Sequence, residues 1–377
     1  MPFTVTPMFP GDLYDTTDRM AATAAPAWSG DKRSSGSARW SQILELGWQG
    51  VLVSEEAGGV GATLAEFAAI AEAAGRHAMA LPLIARCVVS PMLLAAAGKN
   101  DAALALLEQL SAGQASVCPV IQPDGARSLQ ATPANPASGG SIRLQGVLKG
   151  ADLTEPASHL VFNAVSANGS APVLVLLATS ELTQPVRYFE GLDGRRTADI
   201  TLDGVVVEAS HVLLQGDAVA TAVKSAMSTG AVMTSVQTVG ALGAMIEQTI
   251  EYLSTRTQFG VALSTFQALR HRTVEMYVAY ESARGLVKDV TEHLSDNPHA
   301  DQRDAALTKL YLATVGRTVA EAAIQLHGGM GMTVEMPAAR LAMHTLMCNL
   351  QYGDRFHYLD SLSSQMSADV QAAALAA

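Results

Sequence analysis

The sequence predicts an α+β chain of three parts: an N-terminal α-helical domain, a middle β-domain of barrel-like or sandwich type, and a C-terminal four-helix bundle. Three observations carry this. Helical apolar spacing dominates residues 1–115. Short β-branched runs cut by Gly, Pro, Ser and Asn fill 116–215. Long apolar helical patterns with few breakers run through 216–377.

Residues 1–40 are rich in Thr, Ser, Gly and Pro, with a helix expected near 10–25, and 40–50 read as a helix ending at Gly50. A turn, Ser54-Glu-Glu-Ala-Gly58-Gly59-Val-Gly61, precedes a helix opened by Thr63 with Glu66 three residues on. Further helices are expected at 87–97 and 101–111. The β-domain shows in ASVCPVI, SIRLQGVLKG, HLVFNAV, PVLVLLA and ADITLDGVVVEA. Helical patterns then cover 218–255, 266–295, 302–327 and 336–376, with Gly260 and the Gly328-Gly329 pair as breakers.

Composition bounds the function. The chain of 377 residues is 49% hydrophobic but only 16% charged, so an obligate oligomer that hides apolar surface between subunits is expected. A net charge of −11 argues against nucleic acid, which needs a basic surface. Cys87, Cys118 and Cys348 lie far apart without metal-ligand spacing, so no metal is expected and a reducing cytoplasm is. No basic segment followed by an apolar run marks the N-terminus as a signal peptide. Residues 226–246 carry no charge, but their Ser, Thr, Gln and Gly content fits a helix buried in protein better than a membrane span. Gly58-Gly59-Val-Gly61 lacks the third glycine and the βαβ setting of a dinucleotide fingerprint.

Two strings carry the chemistry. Arg256-Thr-Gln-Phe259-Gly260 is followed by Phe266-Gln267, and Gln325-Leu-His327-Gly328-Gly329-Met-Gly331 closes a later helix. A guanidinium is a fixed, always-charged fork for an anion, an amide both donates and accepts, and glycine lets backbone approach where a side chain would clash. Each also has a plain structural reading. Arg256 can offset a helix dipole, the glycines can cap helices, and Gln325 and His327 can be ordinary helix or packing residues.

With the turn-and-helix SEEAGGVGATLAEFAAIAEAAGR and the string ITLDGVVVEASHVL, these segments resemble the acyl-CoA dehydrogenase family, in order and spacing, from about residue 40 to 360. The resemblance implies FAD as cofactor, an acyl-CoA substrate, and an arm that reaches the adenosine diphosphate end of FAD held by a neighbouring subunit. Arg256, Phe259, Gln267, Gln325, Gly328 and Gly329 would then bind cofactor.

The family's reaction, α,β-desaturation of an acyl-CoA thioester, needs a carboxylate base on the face of the acyl chain opposite the flavin. Relatives place that Glu at one of two positions, which here hold Gly230 and Tyr352. Glycine has no side chain, and a phenol of pKa ~10 stays protonated at neutral pH. Asp354 is a substitute candidate, with an N-cap for the last helix as its alternative role. The loop and the Trp-Ile-Thr string that hold the flavin ring in the family are not legible in residues 121–150. The resemblance therefore points to the Glu-lacking subunit of an α2β2 heterotetramer with a paralogous dehydrogenase, of a type associated with bulky acyl groups such as steroid side chains. An electron-transfer flavoprotein is a candidate redox partner. Two alternatives stay open: a self-sufficient homo-oligomer using Asp354 or another base, and a flavin-free structural paralogue.

Overall fold

The computed structural model describes residues 3–22, 32–121, 129–134, 140–166, 171–297, 303–333 and 335–376. Its helices are α1 (Asp12–Ala22), α2 (Lys32–Glu45), α3 (Leu64–Arg76), α4 (Ser90–Ala96), α5 (Asp101–Ser111), α6 (Asp217–Thr255), α7 (Gln267–Asp296), α8 (Arg303–His327), α9 (Pro337–Leu350) and α10 (Arg355–Ala376). Strands β1 (Val117–Val120), β2 (Leu129–Pro133), β3 (Ile142–Asp152), β4 (His159–Ser166), β5 (Pro172–Ala178), β6 (Arg187–Glu190), β7 (Arg196–Val207) and β8 (Val212–Gln215) lie between α5 and α6.

The chain divides into two compact units that cut across its three sequence segments. One joins residues 1–28, 64–79 and 228–377; the other joins 29–63 and 80–227.

In the second unit, β1–β8 form one mixed sheet with the main order β6-β7-β3-β2-β4-β5-β8, β1 pairing with β4. Most neighbours are antiparallel, while β4 takes both β1 and β2 in parallel. Leu144, Leu148, Leu160, Phe162, Val175, Ile200 and Leu202 alternate onto one buried face. Arg86, fully buried, donates to Ser116 Oγ at 2.9 Å and to the Pro156 carbonyl at 2.7 Å, and also to the Glu155 carbonyl. Its guanidinium lies 5.1 Å from the Trp40 ring centroid. A buried charge with so many acceptors fixes the connection between β3 and β4.

Two expected elements differ. The helix read over 40–50 stops at Glu45; Gly47 takes φ +69° and a short 3₁₀ turn covers Trp48–Gly50. The helical pattern of 336–376 is two helices, broken at residues 351–354, where Tyr352 and Gly353 have φ +55° and +100°. The Asp354 N-cap offered in the sequence marks the start of the second helix, while the left-handed Tyr352 before it is of a residue type that does not signal a break.

The first unit is helical, formed from α1, α3 and α6–α10. Its spine is α6, whose most apolar window is 100% buried in the structure. The small residues expected there serve close approach: a Cβ on Gly75 would stand 2.0 Å from the Gln237 carbonyl oxygen, and one on Gly240 2.1 Å from that of Glu72. The α3 and α6 backbones thus cross in contact, which only glycine permits. The buried Glu72 carboxylate accepts from the backbone N–H of Met8 at 2.7 Å and of Phe9 at 2.9 Å, and Glu247 accepts from Val5 N–H at 2.6 Å. The N-terminal strap is held by these carboxylates.

Candidate functional site: an exposed arm and a filled base position

At the end of α6 the chain turns through a two-residue hairpin, β9 (Thr257–Gln258) paired with β10 (Val261–Ala262). Phe259 and Gly260 form its tip at φ +54° and +80°. Two left-handed central residues make the turn that matches strand twist. For a bulky residue this conformation costs about 1–2 kcal/mol. Phe259 is 89% exposed, with no packing return within this chain except an edge contact to Phe266 at 6.1 Å. That contact ties the hairpin to the start of α7, which begins at Gln267.

The second string ends α8. Gly328 takes φ +61° and starts a 3₁₀ turn over Gly328–Met332. A Cβ on Gly328 or Gly329 would meet nothing within 4 Å among the described residues, so neither glycine is required there by packing. Gly331 differs: a Cβ there would stand 2.4 Å from the Ile324 carbonyl oxygen, a packing requirement.

Tyr252, one turn before Arg256, stacks on His327 with ring centroids 4.6 Å apart. The ends of α6 and α8 therefore meet, and the two strings come to one end of the bundle. His327 is buried, its Nδ1 donates to the Ala323 carbonyl at 2.8 Å, and burial lowers its pKa. The ring is neutral and its Nε2 is a buried acceptor with no hydrogen bond. Of the residues singled out in the sequence, Arg256, Phe259, Gln267, Gln325, Gly328 and Gly329 all face solvent. A guanidinium, two amides, an aromatic ring and bare backbone thus all face outward, a donor set whose chemistry suits an anionic, aromatic ligand such as FAD. The segments 122–128 and 135–139, within the stretch where the ring-holding motifs are not legible, lie outside the described residues.

Gly230 and Tyr352 are in contact. A Cβ on Gly230 would stand 2.7 to 2.9 Å from Cδ1, Cγ and Cε1 of the Tyr352 ring. Tyr352, half-buried, packs against the cluster of Ala231, Ala306, Tyr358 and Leu362, as does Leu310. Tyr358 donates its hydroxyl to the Tyr352 carbonyl. The carboxylate of Asp354 accepts the His357 N–H at 2.8 Å, and its carbonyl the Tyr358 N–H at 3.2 Å, so it caps α10.

Beside this contact lies a residue the sequence reading passed over. Lys309, 1% exposed, donates from Nζ to Thr234 Oγ1 at 2.8 Å and to the Cys348 carbonyl at 2.6 Å. It joins α6, one turn beyond Gly230, to the last turn of α9, just before Tyr352. Its signal in the sequence is a lysine at core spacing among Ala305, Thr308 and Leu312.

A helical unit and a mixed-sheet unit, with an exposed hairpin after α6, define the class of fold, and comparison with known proteins names the family. Residues 12–116 match the acyl-CoA dehydrogenase N-terminal domain, and residues 220–354 match the acyl-CoA dehydrogenase C-terminal domain. The chain belongs to the acyl-CoA dehydrogenase family, oxidoreductases whose cofactor is FAD. It is 28% identical to acyl-CoA dehydrogenase FadE28 of Mycobacterium tuberculosis over 336 residues, 87% of this chain and 92% of that one. In fold it is similar to the steroid acyl-CoA dehydrogenase Tcur3481–Tcur3483, with TM-score 0.82, 22% identity, and coverage of 96% of this chain and 98% of that one. It is equally similar to the ChsE4–ChsE5 complex of Mycobacterium tuberculosis, with TM-score 0.82, 20% identity, and coverage of 97% and 99%.

Proposed function

We propose that this chain is the arm-bearing, base-lacking subunit of a heteromeric acyl-CoA dehydrogenase. The carrying observation is the Gly230–Tyr352 contact: neither position that supplies the base in relatives holds a carboxylate, and the Tyr352 ring occupies the space a side chain at 230 would need. The base that removes the α-proton of the acyl thioester then comes from a Glu-bearing paralogue in an α2β2 assembly. When bound, FAD supplies the hydride acceptor. This chain's part is to bind and orient: Arg256 sets a fixed positive fork against the pyrophosphate, Gln267 and Gln325 offer amide hydrogen bonds, and Gly328 and Gly329 admit close backbone approach. Phe259 covers an apolar face of the cofactor and excludes water from it.

Substrate and setting follow the same reading. The Tcur3481–Tcur3483 steroid acyl-CoA dehydrogenase and the ChsE4–ChsE5 complex each pair two proteins. They support a bulky acyl-CoA, such as a steroid side-chain thioester, and a paired assembly. An electron-transfer flavoprotein is the proposed acceptor. Three free, buried cysteines fit a reducing cytoplasm.

The test is expression of the chain alone and together with a Glu-bearing paralogue, measuring FAD per chain and acyl-CoA oxidation. We expect turnover only in the mixed preparation, with fewer FAD than chains. Full FAD occupancy and turnover by the chain alone would overturn the reading.

A further inference from the structure

We propose that Tyr352 is a specificity-determining plug: its ring keeps an acyl chain out of this subunit's own base site. The inference rests on the assignment of Gly230 and Tyr352 as the two base positions, and goes further. Losing a carboxylate would leave a cavity that still admits substrate. Here the space is filled.

Three independent features put the ring there. The ring atoms lie where a side chain at residue 230 would start, 2.7 to 2.9 Å from an added Cβ, so the site is filled from α6 outward. Tyr352 is a bulky residue at φ +55°, a conformation that persists only when the surroundings impose it. Those surroundings are present. Gly353, at φ +100°, has no room for a Cβ, which would stand 2.6 Å from His357 Cδ2 and 2.8 Å from Tyr358 Cε2. The Tyr358 hydroxyl holds the Tyr352 carbonyl. Lys309 ties the Cys348 carbonyl at 2.6 Å to Thr234 at 2.8 Å and so fixes both flanks of the contact. Half-buried, Tyr352 packs against the apolar cluster of Ala231, Ala306, Tyr358 and Leu362, the kind of surface an alkyl chain would use.

The experiment uses the purified full chain and octanoyl-CoA, with binding read by titration calorimetry. Tyr352→Gly removes the ring and suits the left-handed backbone; Tyr352→Phe keeps the ring and loses only the hydroxyl. We expect Tyr352→Gly to bind octanoyl-CoA at least about tenfold more tightly than wild type, and Tyr352→Phe to match wild type. Equal binding by wild type and Tyr352→Gly, including no measurable binding by either, overturns the proposal, as does a gain in Tyr352→Phe. If Tyr352→Gly fails to fold by circular dichroism, Tyr352→Asn, which also tolerates positive φ, carries the same comparison. The readout does not involve FAD. A failed plug therefore leaves the arm assignment standing, and turnover by the lone wild-type chain strikes the subunit assignment separately.

Discussion

Tyr352 lies so close against Gly230 that a side chain at 230 would force the ring to move: a Cβ on Gly230 would be 2.7 Å from the ring. The two residues are far apart in sequence and sit on segments that Lys309 bridges with two hydrogen bonds. The Gly230–Tyr352 contact is thus a packed arrangement of several residues.

That packing predicts a coupled pair of mutations. Gly230→Ala forces the ring aside and should cost about 1–3 kcal/mol of stability, the usual range for overpacking a core. In a Tyr352→Gly background the same alanine enters space that the ring has left, and its cost should fall close to zero. Urea melts of the four chains in this cycle measure the coupling. Additive effects would mean the ring and Gly230 do not touch in solution.

Much of this was legible in the sequence, for identifiable reasons. The helical spans of α7 and α8 follow from apolar periodicity, and that of α6 from a long uncharged run of small and apolar residues that is buried all round. Other features depend on long-range contact. The sequence reads as one helical pattern over 336–376, and only Asp354, as an N-cap for the last helix, marks the break at Tyr352 and Gly353. Thr234 and Cys348 lie far from Lys309 along the chain, so the buried ammonium between them shows only as a lysine at core spacing. The Tyr252–His327 stack, which brings the two arm strings together, also joins residues distant in sequence.

The arm predicts a separation of stability from cofactor binding. Arg256 and Phe259 are exposed, so Arg256→Ala and Phe259→Ala should change the stability of the isolated chain by no more than about 0.5 kcal/mol. In the complex with the Glu-bearing paralogue, each should lower FAD per assembly, read from flavin absorbance after gel filtration. Unchanged occupancy in both variants would count against the arm.

His327 predicts a pH dependence with a definite sign. Burial lowers its pKa in the folded chain from the ordinary 6.5. The unfolded chain therefore takes up the proton first as pH falls. The contribution of His327 is fully present above about pH 6.5 and is lost as pH falls toward the folded value, with a slope of at most about 1.4 kcal/mol per pH unit. His327→Phe keeps an aromatic ring against Tyr252 but cannot titrate. Melts from pH 7.5 to 5 should show the variant losing less stability than wild type over that interval. Parallel curves would mean the imidazole is not held neutral.

Asp354 decides between the subunit reading and a self-sufficient enzyme. Its carboxylate accepts the His357 N–H at 2.8 Å and its carbonyl the Tyr358 N–H at 3.2 Å, both at the start of α10. A capping carboxylate can be replaced by an amide, because the amide oxygen accepts the same bond; a base cannot, because an amide takes up no proton at neutral pH. Asp354→Asn should therefore leave both stability and the turnover of the mixed complex close to wild type. Asp354→Ala should lose about 1 kcal/mol of stability, the ordinary cost of an N-cap, without a matching loss of turnover. If Asp354→Asn instead abolishes acyl-CoA oxidation while α10 stays capped and the melt is unchanged, the carboxylate itself takes the proton, and the chain is an enzyme in its own right.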